Sequence, residues 1–270
     1  MDFWQNIYSQ FDPIAFSIGS VSVHWYGIMY AFALLSAIYV AKWFINYDNI
    51  DIKQEIFDSY VWWAEIGVIL GARIGYILFY DPHTMYYLTH PWQIFNPFID
   101  GTYVGISGMS YHGAFIGFLI ASLLFCKKNK VSFWFITDIA VLGISFGYIF
   151  GRFGNFFNQE LIGRVTDVPW AIYVDGVLRH PSQLYEAILE GLVIFLILIY
   201  FRNRKKFDGQ LAIIYALAYS IARIVAELFR QPDSQLGFLY GGWLTMGMLI
   251  SFCVMLVTII ILIVMKKRIS

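Results

Sequence analysis

Residues 241–265 read GGWLTMGMLISFCVMLVTIIILIVM, 25 positions without a charged side chain, and Lys266, Lys267 and Arg268 follow at once. Crossing about 30 Å of hydrocarbon takes about 20 apolar helical residues, so this stretch predicts a membrane helix that ends in cations. Six more apolar runs lie at about 21–43, 58–80, 103–125, 132–151, 182–201 and 210–229, each bounded by charged, Pro-containing or Gly-containing linkers. The expected fold is an all-α integral membrane protein with seven transmembrane helices. It forms a single domain over residues 1–270, with a small outward-facing segment at about 152–181 between helices 4 and 5.

Composition agrees with that reading. The chain is 59% hydrophobic and 13% charged, whereas soluble domains are roughly 45–50% apolar and 25% charged. Phe, Trp and Tyr make up 20% of it, which suits rings placed at headgroup level. Eighteen Lys plus Arg balance 18 Asp plus Glu, so the net charge is zero and no global field attracts nucleic acid. Cys126 and Cys253 fall in or beside apolar stretches without metal-site or disulfide spacing, and both are expected to be reduced packing residues. Residues 1–20 hold no Lys, no Arg and no long apolar run, so no cleavable signal peptide is expected. Phe3, Trp4, Ile7, Tyr8 and Phe11 instead recur at helical spacing, predicting a short helix in the outer interface.

Lys and Arg are retained in cytoplasmic loops, so their positions set the orientation. One set of connections carries Lys42 and Lys53, then Lys127, Lys128 and Lys130, then Arg202, Arg204, Lys205 and Lys206, then Lys266, Lys267 and Arg268. That side is read as cytoplasmic, with the N-terminus outside and the C-terminus inside. The other set carries only arginines: Arg152, Arg164, Arg179 and Arg230. Arginine grips phosphate with a planar fork of donors where lysine offers a point charge, so an outward anion site is the first expectation. Arginines at helix ends also snorkel to lipid phosphates, which is the competing explanation.

The densest polar cluster is Gly151-Arg152-Phe153-Gly154-Asn155-Phe156-Phe157-Asn158-Gln159-Glu160-Leu161-Ile162-Gly163. A capped helix end would account for one Asn and one Gly, not for an arginine, two amides and a carboxylate together. Arg223, Glu227 and Arg230 follow i, i+4, i+7 spacing and share one helix face. An unpaired Arg in hydrocarbon costs about 2.5–3.5 kcal/mol, so such residues face a cavity or a partner. A plain Arg223–Glu227 ion pair is the structural alternative. Asp138 and Glu65, in the inner halves of their spans, read as structural. Arg73 reads either as a snorkelling residue or as part of a cavity wall.

The stretch 151–163 resembles, over its whole length, the signature G-R-x-G/A-N-F-x-N-x-E-x-x-G of the prolipoprotein diacylglyceryl transferase family. Further matches are Trp25-Tyr26-Gly27, Gly108-Met109-Ser110-Tyr111-His112-Gly113, His180-Pro181-Ser182-Gln183-Leu184-Tyr185-Glu186 and Phe229-Arg230-Gln231-Pro232-Asp233. Two positions depart from the family pattern. His24 stands where an arginine is usual, and Ala114 where a second glycine often follows the histidine.

The resemblance implies an enzyme of the bacterial cell membrane that works towards the outer leaflet. It would move the diacylglyceryl group of phosphatidylglycerol to the lipobox cysteine of a prolipoprotein signal peptide, making a thioether and releasing glycerol phosphate. By the same resemblance Arg152 and Arg223 hold the phosphate. Glu160, Glu227 and Arg230 orient or balance them, and Tyr26, Gly154, Asn155, Asn158 and His180 complete the substrate site. His112, expected about nine residues inside the third span, is the candidate acceptor for the cysteine proton. His180 beside Pro181 fits a helix-entry role equally well. No metal-ligand cluster or nucleotide-type glycine loop is seen, and the scheme needs no cofactor. The rival class is a transporter or anion-binding membrane protein holding a solute on the same arginines.

Overall fold

The structure is a computed structural model that describes residues 2–19, 21–99, 102–103, 105, 108–232 and 237–269. In chain order the helices are α1 (Asp2–Gln5), α2 (Trp25–Tyr47), α3 (Gln54–Phe79), α4 (Thr84–Thr89), α5 (Tyr111–Asn129), α6 (Phe133–Phe157), α7 (Ser182–Glu186), α8 (Ile194–Arg202), α9 (Gln210–Glu227) and α10 (Met246–Ile269). A π-helical turn, Ala187–Val193, joins α7 to α8 into one continuous span. Three small antiparallel hairpins pair β1 (Ile14–Ile18) with β2 (Val21–His24), β3 (Phe98–Ile99) with β4 (Thr102–Tyr103), and β5 (Ile172–Val174) with β6 (Val177–Arg179).

Among the described residues, six helical segments are long and apolar enough to cross a membrane: 25–47, 54–79, 133–157, 182–202, 210–227 and 246–267. The third expected run, 103–125, becomes α5, which starts only at Tyr111 because Ser110 caps it, its hydroxyl accepting from Gly113 N at 3.2 Å. Residues 104, 106 and 107 of that run lie outside the described residues. His112 therefore sits in the first turn of α5 and is exposed, not nine residues deep. In the opposite direction α6 runs on to Phe157, so the first half of the 151–163 motif is helix rather than loop.

The chain forms two compact units, residues 48–136 and residues 1–47 with 137–270. In the first, α3 and α5 meet along glycines. A Cβ at Gly71 would lie 2.3 Å from Gly113 O, and one at Gly117 would lie 2.0 Å from Gly67 O. This is the small-residue packing by which helices associate in lipid, where burial offers no hydrophobic gain. Arg73 is buried rather than snorkelling. Only 5% exposed, it donates to Ile94 O at 2.6 Å and Gly108 O at 3.2 Å and lies over the rings of Tyr76 and Tyr87. A cavity of about 590 Å³ follows the same two helices, lined by Ile66, Leu70, Ile74, Ile116 and Ile120, and holds none of the expected site residues.

In the second unit Phe44, Leu142, Ile194, Leu198 and Leu211 form the core of α2, α6, α8 and α9. Asp138 is structural, as its position suggested. Its carboxylate accepts from Gly209 N and Ala212 N, both at 3.0 Å, and from Lys205 Nζ at 3.1 Å, capping the start of α9 from a neighbouring helix. Asp138→Ala orphans those donors and lowers stability by about 1–3 kcal/mol, read as a lower thermal midpoint in detergent.

The N-terminal aromatic spacing serves packing within the protein. The segment is two short pieces, α1 and a 3-10 turn over Ile7–Gln10, rather than one helix. Trp4 stacks on Phe156 with centroids 6.2 Å apart, Tyr8 packs on Phe156 at 5.2 Å, and Phe11 stacks on Phe157 at 4.9 Å, while Phe3 stays exposed. Both cysteines are free, but Cys253 is exposed on α10, so only the buried Cys126 packs inside the chain.

Candidate active site

The site is built by α6, the α7–π–α8 span and α9. Arg152, five residues from the end of α6, points its Nε at Glu186 Oε2 (2.9 Å), and its Nη2 lies 3.7 Å from Glu190 Oε2. Arg223, on α9, places Nη1 3.5 Å from Glu186 Oε1 and 3.5 Å from Glu190 Oε1, and donates from Nη2 to Glu227 one turn on. Arg230 Nη1 lies 3.8 Å from Glu186 Oε1. Two guanidiniums expected to cooperate therefore meet at one pair of carboxylates. Glu186 and Glu190 are fully buried, while the side chains of Arg152 and Arg223 keep 13% and 12% exposure, so the arginines are the accessible face of the cluster.

Helical periodicity explains the placement. Tyr148, Arg152 and Asn155 are spaced i, i+4, i+7 on α6, and Glu186 and Glu190 are spaced i, i+4 across the π turn. Tyr148 donates its hydroxyl to Glu190 and accepts from Arg152 Nε at 2.8 Å and from Arg152 Nη2. Arg152 Nη1 donates to Asn155 Oδ1 at 3.0 Å, and Asn155 Nδ2 donates to Glu160 Oε1 at 2.8 Å, so the motif's arginine, amide and acid form one chain of contacts. Glu227 also accepts from Thr245 Oγ1 at 2.7 Å. The Tyr26 ring stands against Gly154, where an added Cβ would be 3.4 Å from Tyr26 Cδ2.

The helix ends through left-handed Gln159 (φ 57°) and Leu161 (φ 56°). Gln183 holds that turn by donating to Glu160 O and to the Tyr8 hydroxyl (3.2 Å). The last motif residue, Gly163, pairs with Arg230, and a Cβ there would lie 2.1 Å from His180 O, so the spot admits no side chain. Asn158 Oδ1 is buried without a hydrogen-bond partner, the only amide oxygen of the motif in that condition among the described residues.

Other expected members make contacts of their own. Arg164 and Arg179 serve backbone carbonyls: Arg164 donates to Arg230 O and Glu227 O, both at 2.9 Å, closing the C-terminal end of α9, and Arg179 donates to Gly163 O at 3.1 Å. His180 is an aromatic packing residue, its Nδ1 3.1 Å from the Tyr185 hydroxyl and its ring 5.2 Å from that of Phe229. Burial lowers its imidazole below the ordinary range, so any stability it contributes is present above the unfolded value and lost as pH falls. His112 belongs to the unit 48–136. Asp233 lies outside the described residues.

Glu190 and Tyr148 were not foreseen, and Glu186 was seen only as part of a motif. The available signal was an acidic residue within an apolar span, whose cost in hydrocarbon demands a partner.

The sequence profile described as prolipoprotein diacylglyceryl transferase matches residues 13–264. The chain belongs to the prolipoprotein diacylglyceryl transferase family. The phosphatidylglycerol-prolipoprotein diacylglyceryl transferase of Aliarcobacter butzleri strain RM4018 is 73% identical over 267 residues, covering 99% of this chain and 98% of that protein. The proteins of the same name from Campylobacter jejuni subsp. jejuni serotype O:6 and Campylobacter lari strain RM2100 are both 58% identical, over 268 and 256 residues. The former covers 99% of this chain and 98% of that protein, the latter 95% and 94%. The stretch 151–163 lies within the matched residues and brings Arg152, bonded through Asn155 to Glu160, against the carboxylate pair.

Proposed function

We propose that this chain is a multi-pass membrane transferase that moves the diacylglyceryl group of phosphatidylglycerol to the lipobox cysteine of a prolipoprotein, the first step of bacterial lipoprotein maturation. The whole chain acts as one transmembrane catalytic domain of the cell membrane. It has seven spans, α5 being the third, with the N-terminus outside, the C-terminus in the cytoplasm and the site towards the outer leaflet. The distribution of lysines supports that orientation.

The observation that carries the reading is the meeting of Arg152 and Arg223, from separate helices, at a single buried carboxylate pair. The lipid phosphate is held by these two forks, with Glu160, Glu227 and Arg230 orienting them and Tyr26, Gly154, Asn155, Asn158 and His180 shaping the surroundings. A free cysteine thiol, with pKa about 8.5, is mostly protonated near pH 7. His112 accepts its proton. The sulfur attacks the glyceryl carbon that bears the phosphate, a C–S bond forms and the C–O bond breaks. The electron pair stays on the phosphate oxygen, and glycerol phosphate departs with one more negative charge. Preorganised donors stabilise that charge as it develops.

The test is release of glycerol phosphate together with thioether formation when the purified protein meets phosphatidylglycerol and a lipobox peptide in detergent. Both products appear in equal amounts. A protein that transports or merely binds anions yields neither, and that result ends the reading.

A further inference from the structure

Glu186 and Glu190 have no part in the chemistry above, yet they hold its arginines. Arg152, Arg223 and Arg230 carry three positive charges, and Glu186, Glu190 and Glu227 carry three negative ones. With the substrate absent the cluster is neutral, as burial of charge requires. A departing phosphate monoester carries about −1.5 to −2 at neutral pH. Charge-assisted forks in a site of low dielectric bind such a product tightly, and a site built only to stabilise it would be slow to release it.

The two glutamates are arranged for the opposite task. Both are fully buried, so neither can exchange the arginines for water. Glu186 Oε2 lies 2.9 Å from Arg152, and Oε1 lies 3.5 Å from Arg223 and 3.8 Å from Arg230, but neither oxygen accepts a hydrogen bond, a pairing by charge with little directional hold. Glu190 is anchored by the Tyr148 hydroxyl on one oxygen and reaches Arg223 with the other. The π turn Ala187–Val193 contains Glu190 and seats against α6 through Gly191, where a Cβ would lie 2.6 Å from Ile149 Cγ1. Such widened turns recur at functional sites.

We propose, on the basis of the transferase reading, that Glu186 and Glu190 are resident counter-ions. They yield Arg152 and Arg223 to the lipid phosphate and reclaim them when glycerol phosphate leaves. They are positioning residues that act through the arginines, and neither makes or breaks a bond to substrate. Their competition weakens phosphate binding and speeds product release.

The experiment is product inhibition by glycerol 1-phosphate in the peptide-transfer assay, for wild type, Glu186→Gln and Glu190→Gln. Glutamine keeps the shape and removes the competing charge. In each variant the inhibition constant falls about tenfold or more, roughly the worth of one charge-assisted hydrogen bond. KM for phosphatidylglycerol falls with it, and kcat drops behind a burst of thioether product. A purely structural role lowers the amount of folded protein without tightening either constant. Unchanged or raised constants overturn the proposal. Should both variants fail to fold, wild type decides: inhibition by glycerol 1-phosphate at concentrations below KM overturns it, and inhibition only above KM supports it. Loss of the transferase reading is distinguishable, because wild type would then form no thioether at all.

Discussion

Arg223→Lys lowers turnover by about 10²–10³-fold, equivalent to about 2.7–4 kcal/mol of transition-state stabilisation, in a protein that still inserts and folds. Arg152→Lys does the same. Lysine keeps the positive charge beside Glu186 and Glu190, so the buried carboxylates retain a counter-ion. It loses the planar fork, and with it the bidentate hold on a phosphate whose charge is growing. Alanine at either position is a less discriminating change. It strips a partner from fully buried carboxylates, and breaking a buried ion pair costs about 3–5 kcal/mol, so lost activity would mix with lost fold. Initial rates of labelled diacylglyceryl transfer, with the thermal midpoint recorded alongside, separate the two effects. Wild-type turnover in both lysine variants removes the arginines from the mechanism.

Gly117→Leu destabilises the unit 48–136 by about 3 kcal/mol or more, at the upper end of what overpacking costs. The Cβ would fall 2.0 Å from Gly67 O and 2.8 Å from Gly71 Cα. Those are backbone atoms, which no rotamer change can move aside, so α3 and α5 must separate along their glycine seam. Ile116→Leu is the control, since Ile116 is 53% exposed on the same helix and its volume is conserved. The thermal midpoint in detergent falls for Gly117→Leu and stays put for the control. Equal midpoints for the two show that the seam carries no stability.

How much of this could be read beforehand depended on how local the signal was. Apolar runs announce themselves because hydrophobicity accumulates along a chain, and six of the seven expected runs coincide with helices of spanning length and apolarity. The run at 103–125 misled because α5 starts only at Tyr111, after its cap Ser110, which moves His112 from depth to the first turn of the helix. Arg152 and Asn155 were recognisable because one helical turn brings them together, and Glu160 because it stands in the same short motif just past the helix end. Arg164 and Arg179 had the same signature of an outward arginine and took backbone carbonyls instead. A sequence names the donor; the acceptor depends on which chain segment folds beside it.

From its residues alone, this chain declared a membrane-spanning helical character, the clustering of its lysines in alternate connections and a thirteen-residue family motif, because hydropathy, charge and short spacing are properties of neighbours in sequence. Tertiary structure alone decided that Glu186 and Glu190 stand between Arg152 and Arg223, that Asp138 caps α9 and that Arg73 ties down loop carbonyls. Those pairings depend on how each helix is rotated about its axis and on a π turn within one of them. Neither can be read from a single segment, because each is settled by the packing of helices distant in sequence.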